Sequence, residues 1–419
     1  MSPRKVHVVG AGLAGLAAAV SLARRGIPVE LSEAAAQAGG RCRSYFDKDL
    51  GLTLDNGNHL VLSSNTAVHR YLRRIGASAR LSGPEHAEFA FVDLRTDERW
   101  TVRPNPSALP WWTLAPSRRV AGTRVADYAA LAPLAFGRRG RTVGETARCE
   151  GPLWERLMEP FLLAALNTAA VEGDAGLASA VIRETLVKGG AAYKPRVAEP
   201  TLAAAFVDPA LAMLDQAGAQ VRFGRRLRSI RFEENRAAFL AFADGQVELA
   251  DDEAVVLAAP PNVVLDLVPG LTAPTAFRAI VNGHFAGPAP AGAPPIVGVV
   301  GGLVEWIFCL PDRISITISG ADRLTDAPRE ELAQRMWGDV TRALKLGDVP
   351  LPAWQVVKEK RATFAATPEQ NALRPPSRTR WRNLALAGDW TDTGLPATLE
   401  GAVRSGFHAA DLVSGRRTR

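Results

Sequence analysis

The sequence predicts an α/β protein of two domains, one with a Rossmann-like parallel sheet and one with a mixed sheet and helices. Three observations support this. The chain has 419 residues, more than a single hydrophobic core usually organises. The apolar strand Val6-His7-Val8-Val9 leads directly into a glycine-rich turn and an apolar helix, the order of a βα unit. Leu384-Ala385-Leu386-Ala387 repeats the apolar strand pattern near the C-terminus.

Composition and charge favour a folded protein without a nucleic-acid partner. Apolar residues make up 47% of the chain and charged residues 22%, which is typical of soluble globular domains. The net charge of +7 is spread along the chain, with small clusters such as Arg138, Arg139 and Arg141. Because no nucleic-acid-binding motif accompanies this charge, we expect no nucleic-acid partner.

The cysteines and the N-terminal apolar stretch bear on location. Cys42, Cys149 and Cys309 are too far apart for a metal or redox motif and too few for a disulfide framework, so we expect no metal site and a reducing cytoplasm. Residues 6–23 are apolar enough to resemble a signal peptide or membrane helix, but their glycines suit a strand, turn and helix better. No other window approaches 18 apolar residues without charge, so we expect no membrane span.

The glycine-rich turn predicts a dinucleotide site. In Gly10-Ala11-Gly12-Leu13-Ala14-Gly15, the first glycine permits the tight turn, Gly12 lets a pyrophosphate approach, and Gly15 lets helix and strand pack closely. Leu13 and Ala14 begin the helix, whose N-terminus attracts the anion. A second strand ends at Glu33, where an acid can accept a hydrogen bond from a ribose hydroxyl.

A second glycine turn extends this site. Gly39-Gly40-Arg41-Cys42-Arg43-Ser44 follows shortly after Glu33, where arginines can contact a diphosphate. The string resembles the GG motif of the flavin amine oxidase and phytoene desaturase superfamily. The resemblance implies that the cofactor is FAD rather than NAD, and that the fold is a two-domain FAD-dependent oxidoreductase of the flavin amine oxidase type.

Later segments match the same superfamily. Gly388-Asp389 ends the C-terminal strand, and the resemblance implies contact with the ribityl chain or pyrophosphate. Thr398-Leu399-Glu400 begins a helix whose N-terminus would face the flavin pyrimidine and stabilise the negative charge that forms there on reduction. Residues 218–227 and 255–261 match the middle of these proteins, with the backbone of Leu227 at the adenine end.

These blocks predict discontinuous domains. We expect an FAD-binding domain in residues 1–75, 195–270 and 375–419, which leaves 76–194 and 271–374 for a substrate-binding domain.

Periodicity suggests the content of the substrate-binding domain. It predicts helices across 105–190 and strands at 280–285 and 314–319, and the prolines after Phe285 predict a loop.

Further stretches resemble one family within the superfamily. They are Asp55-Asn56-Gly57-Asn58-His59, Asn282-Gly283-His284-Phe285, Glu305-Trp306-Ile307-Phe308, Glu359-Lys360-Arg361-Ala362-Thr363-Phe364 and residues 387–401. Across nearly the whole chain the sequence is similar to the hydroxysqualene dehydroxylase family of hopanoid biosynthesis. The resemblance implies a long apolar isoprenoid substrate, hydroxysqualene, which is reduced to squalene by reduced FAD as water leaves. It names no electron donor, and the sequence has no separate NAD(P)H motif.

The implied reaction needs a proton donor, because the allylic hydroxyl must leave as water. The candidate catalytic residues are Asp55 and His59, after the GG motif, and Asn282 and His284, which share one face of an alternating strand. Glu305 is a weaker candidate. Each of them is also compatible with a structural role.

Three alternatives remain open. An amine oxidase is disfavoured because Thr398 stands where those enzymes carry an aromatic cage residue, although Trp390 could replace it from another direction. A carotenoid-type desaturase or isoprenoid oxidase would run the flavin in the opposite direction. A non-catalytic flavin-binding partner of squalene-forming enzymes would leave the flavin redox-silent.

The substrate suggests contact with a membrane. Burial of a thirty-carbon isoprenoid is favoured by on the order of 20 kcal/mol, so it resides in the bilayer. Trp111 and Trp112, with Arg103, Arg118 and Arg119 nearby, predict peripheral contact with the inner face of the cytoplasmic membrane. A buried helix is the alternative for this segment. Association with other squalene-forming enzymes is a further expectation.

Overall fold

The computed structural model describes residues 3–415, so the outermost residues of the predicted FAD-binding domain, 1–2 and 416–419, lie outside the described part. The described residues form twenty strands. In chain order these are β1 (Lys5–Val9), β2 (Val29–Ser32), β3 (Ser44–Asp47), β4 (Leu52–Asp55), β5 (Val61–Leu62), β6 (Leu81–Ser82), β7 (Phe89–Asp93), β8 (Glu98–Val102), β9 (Pro195–Ala198), β10 (Gln220–Arg222), β11 (Leu227–Glu233), β12 (Arg236–Phe242), β13 (Gly245–Glu248), β14 (Glu253–Leu257), β15 (Phe277–Ala286), β16 (Ile296–Val300), β17 (Trp306–Cys309), β18 (Arg313–Ile318), β19 (Trp354–Phe364) and β20 (Leu384–Leu386).

The same residues form eleven α-helices, with short 3-10 helices between them. The α-helices are α1 (Leu13–Ala23), α2 (Thr66–Arg74), α3 (Val125–Ala130), α4 (Val143–Thr146), α5 (Glu159–Leu166), α6 (Ala175–Glu184), α7 (Asp208–Gln216), α8 (Pro261–Leu267), α9 (Arg329–Leu344), α10 (Pro368–Ala372) and α11 (Leu399–Val413). No helix in residues 3–415 is both long and apolar enough to cross a membrane.

A five-stranded parallel sheet forms the first layer, with the order β10-β2-β1-β14-β20. Its central strand β1 and the following helix α1 are almost entirely buried, which is why both read as continuous apolar runs. Helix α11 packs closely on α1, because a Cβ at Gly406 would lie 2.2 Å from the carbonyl oxygen of Ala14. The predicted α/β class is confirmed.

A seven-stranded sheet forms the second layer, in the order β19-β15-β18-β17-β16-β7-β8. Its strands are antiparallel except for the β16–β7 pair. One face packs on α9 through Ile307, Ile316 and Met336. On the other face Trp306 and Phe91 join a hydrophobic cluster that also contains buried side chains from the helices of residues 105–190. The strands predicted at 280–285 and 314–319 are confirmed, as is the loop after Phe285.

Each of the two large sheets takes its strands from one of the predicted domains. The parallel sheet uses strands between residues 5 and 32, 220 and 257, and 384 and 386, whereas the seven-stranded sheet uses strands between 89 and 102 and between 277 and 364. The domain boundaries themselves stay a prediction.

Residues 105–190 are mostly helical, as predicted. The longest α-helix there, α6, has 10 residues, and a π-helical turn at Trp154–Met158 leads directly into α5. The two adjacent tryptophans differ in exposure. Trp111 is half exposed, whereas Trp112 is buried and its ring packs edge-on against Tyr128 at 5.3 Å. The prediction of a membrane-facing tryptophan pair is therefore wrong for Trp112, because the 3-10 turn at Trp111–Leu114 points neighbouring side chains in different directions.

Candidate active site

The three glycines of the first turn differ in what requires them. Gly10 has φ +104°, and a Cβ at Gly15 would lie 1.8 Å from the carbonyl oxygen of Gly10, so the protein's own packing demands both glycines. Gly12 has φ −71°, and a Cβ there would meet no described protein atom within 4 Å. The open side of Gly12 is a cradle at the N-terminus of α1, which fits the close approach of a phosphate group.

Glu33 lies beside the glycine-rich turn and also stabilises it through hydrogen bonds. Its carboxylate accepts hydrogen bonds from the backbone amides of Ala11 (2.7 Å) and Ala35 (2.8 Å). The amide of Arg225 donates to the carbonyl of Glu33 at 2.8 Å, which brings the start of β11 at Leu227 to the same edge. The structural part played by the Glu33 carboxylate was not evident from the sequence.

The second glycine turn lies directly against the first. The amide of Gly39 donates to the carbonyl of Ala11 at 2.8 Å, and a Cβ at Gly40 would lie 3.3 Å from the Cα of Gly12. Gly39 and Gly40 have φ values of +106° and +55°, a conformation that favours glycine.

Arg41 then joins three distant parts of the chain. Its guanidinium donates to Asp389 Oδ1 at 2.7 Å and to the carbonyl of Ala362 at 2.6 Å. The carboxylate of Asp389 raises the pKa of Arg41, so this cation is held firmly beside the site.

Helix α11 begins next to Asp389. Thr398 caps this helix by accepting a hydrogen bond from the amide of Gly401 at 3.1 Å. The carboxylate of Glu400 accepts hydrogen bonds from the amides of Ala67 and Val68, both at 3.0 Å, and so caps α2 instead. A cofactor contact at Leu399 or Glu400 would therefore use the backbone at the helix N-terminus.

Asp55 is bound on both oxygens of its carboxylate. Oδ1 accepts hydrogen bonds from Ser44 Oγ (2.6 Å) and from the amide of Leu202 (2.9 Å), and Oδ2 lies 3.6 Å from the guanidinium of Arg313. Burial raises the pKa of Asp55 despite these partners. This geometry favours a positioning role over proton donation.

Asn282 fastens the loop at residues 56–59 to the seven-stranded sheet. Its Oδ1 accepts a hydrogen bond from Thr317 Oγ1 at 2.8 Å, and the side-chain amide of Asn58 donates to that same hydroxyl at 3.0 Å. Gly57 packs against Asn282, since a Cβ there would lie 3.2 Å from Nδ2. The amide of Asn282 thus supports the loop that carries His59.

His284 lies on the same face of β15, as predicted, and pairs with Ser315 Oγ at 2.8 Å. It is fully buried, and burial together with Arg313 lowers its pKa to about 3. His284 is therefore neutral at physiological pH and poorly suited to donate a proton.

His59 is the sequence-predicted candidate that lies beside the GG motif. It is half-buried, close to the carbonyl of Arg41 and to Asp389. Burial and the charge of Arg41 lower its pKa to about 4, so its imidazole is neutral and can hydrogen-bond without carrying charge.

The sequence predicts lesser roles for two further side chains: Trp390 as a substitute for the aromatic cage residue, and Glu305 as a weaker proton donor. Trp390 is buried and donates from Nε1 to the carbonyl of Ala259 at 3.1 Å, so it does not replace the missing aromatic cage residue. Glu305 is half-buried, and burial raises its pKa to about 7. Burial of this kind depends on tertiary packing and leaves no local signal in the sequence.

The comparison with known protein families agrees with this geometry. The model of the family described as flavin containing amine oxidoreductase matches residues 13–291 and 309–414. The chain belongs to the flavin-containing amine oxidoreductase family. As a member of that family it uses a flavin cofactor, and the predicted fold type is confirmed.

Individual relatives narrow this placement within the flavin-containing amine oxidoreductases. A curated relative from Rhodopseudomonas palustris, named hydroxysqualene dehydroxylase, is 53% identical over 411 residues, covering 98% of each chain. One from Sinorhizobium fredii, with the same name, is 52% identical over 410 residues with the same coverage. The predicted resemblance to the hydroxysqualene dehydroxylase family is confirmed. Cyclohexylamine oxidase from Brevibacterium oxydans has a similar solved structure, with TM-score 0.72, 15% identity and 99% of each chain covered, which supports the fold alone.

Proposed function

We propose that this chain catalyses the reductive removal of the hydroxyl group of hydroxysqualene, which gives squalene and water. The observation that carries the proposal is the likeness to curated hydroxysqualene dehydroxylases, at about half identity over 98% of both chains. These relatives are matched over 98% of their own length, so the likeness is not confined to the cofactor-binding segments.

FAD is the proposed cofactor. The open cradle at Gly12 suits a pyrophosphate, and Glu33 stands at the end of β2, where a ribose hydroxyl can donate to it. Arg41 and Asp389 then border the space between the glycine turns and the start of α11. The half-exposed guanidinium of Arg41 can contact the diphosphate, and the N-terminus of α11 favours negative charge on the flavin ring.

The chain's own residues hold and shield the reacting group. When bound and reduced, the flavin supplies a hydride to the carbon that loses the hydroxyl. In our proposal Asp55 and Asn282 fix the loop that presents His59, and neutral His284 supports the strand behind it. Phe91 stacks on Trp100 and meets Trp306 edge-on, both at 5.6 Å, and this aromatic wall suits an isoprenoid and excludes water.

The test is an anaerobic single-turnover experiment. Dithionite replaces the unidentified electron donor and reduces the purified flavoprotein. Hydroxysqualene is then added in detergent. Flavin absorbance is followed, and the lipids are extracted for mass spectrometry. We expect flavin reoxidation with formation of squalene. If the reduced flavin persists, and a saturated isoprenoid instead bleaches the oxidised enzyme, a desaturase is the correct assignment.

The proposal also includes contact with the inner face of the cytoplasmic membrane, through which substrate arrives from the enzymes that form it. Seven of the ten exposed large hydrophobic side chains among residues 3–415 lie in the helical segment 105–190, so the apolar surface is concentrated there. Leu109, Trp111, Leu114 and Phe136 are at least half exposed.

The charge of this segment suits anionic lipid. Residues 105–141 contain one acid, Asp127, against six arginines: Arg118, Arg119, Arg124, Arg138, Arg139 and Arg141. Only Arg139 and Arg141 form ion pairs with carboxylates of described residues.

Vesicle co-sedimentation tests the membrane contact. The double variant Trp111→Ser and Leu114→Ser should bind phosphatidylglycerol-containing vesicles at least about a hundredfold more weakly, since each side chain loses about 1.5–3 kcal/mol of burial and 1.4 kcal/mol is a factor of about ten. The matched control, Phe223→Ser with Val349→Ser, removes exposed apolar side chains from other surfaces and should bind like the wild type. If both variants bind vesicles equally well, the surface around Trp111 and Leu114 is not the membrane contact.

A further inference from the structure

We propose that Glu305 is the catalytic residue that donates the proton with which the substrate hydroxyl leaves as water. This inference rests on the proposed dehydroxylation. Nothing in the comparisons assigns a role to this residue.

Glu305 lies close to the loop at residues 56–59. The backbone amide of Glu305 donates to the carbonyl of Thr317 at 3.4 Å, and the hydroxyl of Thr317 accepts a hydrogen bond from Asn58. Glu305 therefore lies one strand away from the loop that carries His59.

A second set of contacts ties Glu305 to the GG motif. Its Oε2 accepts a hydrogen bond from the amide of Ser319 at 2.8 Å, and the next amide, of Gly320, donates to Asn167 at 2.7 Å. Asn167 in turn donates to Thr363 Oγ1 at 3.0 Å. Thr363 follows Ala362, whose carbonyl binds Arg41. Through Ser319, Gly320, Asn167 and Thr363, the carboxyl group is therefore linked to the strand end that binds Arg41.

The carboxyl group of Glu305 has few partners that would stabilise its charged form. Among residues 3–415, Glu305 forms no ion pair, and Ser319 is the one residue that hydrogen-bonds its carboxyl group. Burial raises its pKa to about 7, and Arg323 is the charged group that opposes this shift. The residue as a whole is half-buried.

The other candidates lack this combination. The carboxylate of Asp55 is occupied by Ser44, Leu202 and Arg313. His59 and His284 have pKa values of about 4 and about 3, so at neutral pH neither imidazole carries the extra proton that donation requires. Asn282 has no proton to give. A carboxylic acid that stays protonated near pH 7 is suited to general acid catalysis.

The O–H bond of the Glu305 carboxylic acid breaks and its proton goes to the substrate hydroxyl. The C–O bond breaks with its electron pair leaving on water, and a hydride from the reduced flavin forms the new C–H bond. The substrate is reduced by two electrons, the flavin is oxidised by two, and the carboxylate regains a proton from solvent.

Glu305→Gln tests the role because the amide keeps the size of the side chain and removes the acid. In anaerobic single turnover we expect the rate of flavin reoxidation by hydroxysqualene to fall by about 10²–10⁴-fold. Substrate affinity, flavin content and Tm should change little, because the hydrogen bond from Ser319 can be kept. The matched control Glu248→Gln alters an exposed glutamate of β13 and should react at the wild-type rate.

The pH profile separates donation from a structural role. The wild-type rate should fall as pH rises through about 7, where Glu305 loses its proton, and Glu305→Gln should lack this limb. Glu305→Asp should be slower but keep the limb. Infrared difference spectra of the wild-type holoenzyme should show a carboxylic acid C=O band that titrates near pH 7 and is missing in Glu305→Gln.

Two outcomes overturn the proposal. One is a Glu305→Gln rate within threefold of the wild type. The other, which holds even if that variant fails to fold, is the absence of a titrating carboxylic acid band between pH 6 and 8 in the wild type. Failure of the wild type itself to convert hydroxysqualene would instead refute the proposed function.

Discussion

Substituting Gly12 separates cofactor binding from folding. In Gly12→Ala the new methyl group meets no protein atom within 4 Å, and φ −71° suits alanine. Alanine restricts the unfolded chain, which stabilises by about 0.4–1 kcal/mol, but it is a poorer helix N-cap than glycine by a similar amount. We therefore expect the unfolding free energy of the flavin-free protein to change by less than about 1 kcal/mol.

Flavin binding should respond differently. The methyl group occupies the cradle in which we place the pyrophosphate, and overpacking of this kind costs about 1–3 kcal/mol. That corresponds to roughly 5- to 150-fold weaker binding of FAD. The measurement is titration of flavin-free protein with FAD by fluorescence, alongside thermal unfolding of the same sample.

Gly15→Ala is the matched control. Its methyl group would lie 1.8 Å from a backbone oxygen, so it should destabilise the flavin-free protein by roughly 3 kcal/mol or more. Wild-type FAD affinity in Gly12→Ala would falsify the placement of the pyrophosphate. Equal losses of Tm in the two variants would refute the distinction between the glycines.

Three further predictions concern stability. Asp55→Ala should lower the unfolding free energy by about 2–4 kcal/mol in urea denaturation, because it leaves buried Arg313 undercompensated; a loss below 1 kcal/mol would contradict this. The folded pKa of His284, about 3, lies below its ordinary value of 6.5, so protonation favours the unfolded chain and stability is lost as pH falls below about 6.5. The unfolding free energy should fall by about 2 kcal/mol between pH 7 and pH 5 for this reason. Denaturation curves of His284→Gln at the two pH values should lack this loss. Trp112→Ala should cost about 3–5 kcal/mol, whereas Trp111→Ala should leave Tm nearly unchanged; similar losses would place both rings in the core.

The cofactor half of the site could be predicted from sequence because its requirements are local. Gly10, Gly12 and Gly15 are specified by backbone conformation and close approach over six residues, and the flanking strand and helix have their own apolar patterns. Even here the sequence did not show that the three glycines serve different purposes. Gly12 leaves space for a ligand, whereas Gly10 and Gly15 are needed because the protein's own backbone packs against them.

The roles of the polar residues could not be predicted in the same way, because distant partners set them. Asp55 is a plausible acid until Leu202 and Arg313 occupy its oxygens, and Glu305 is an ordinary glutamate until burial raises its pKa. Trp111 and Trp112 are chemically identical neighbours with opposite exposure. Such differences arise from tertiary contacts that no local periodicity encodes.

The strand order of the parallel sheet has a consequence for how the protein is made. The sheet begins with β1 and cannot be completed until β20 and the covering helix α11 have left the ribosome. At about 5–20 residues per second, the apolar surface of α1 waits roughly 20–80 s for that helix. We therefore expect nascent chains to need chaperone protection during this interval and to acquire their flavin after translation ends, which makes flavin supply during expression a determinant of soluble yield.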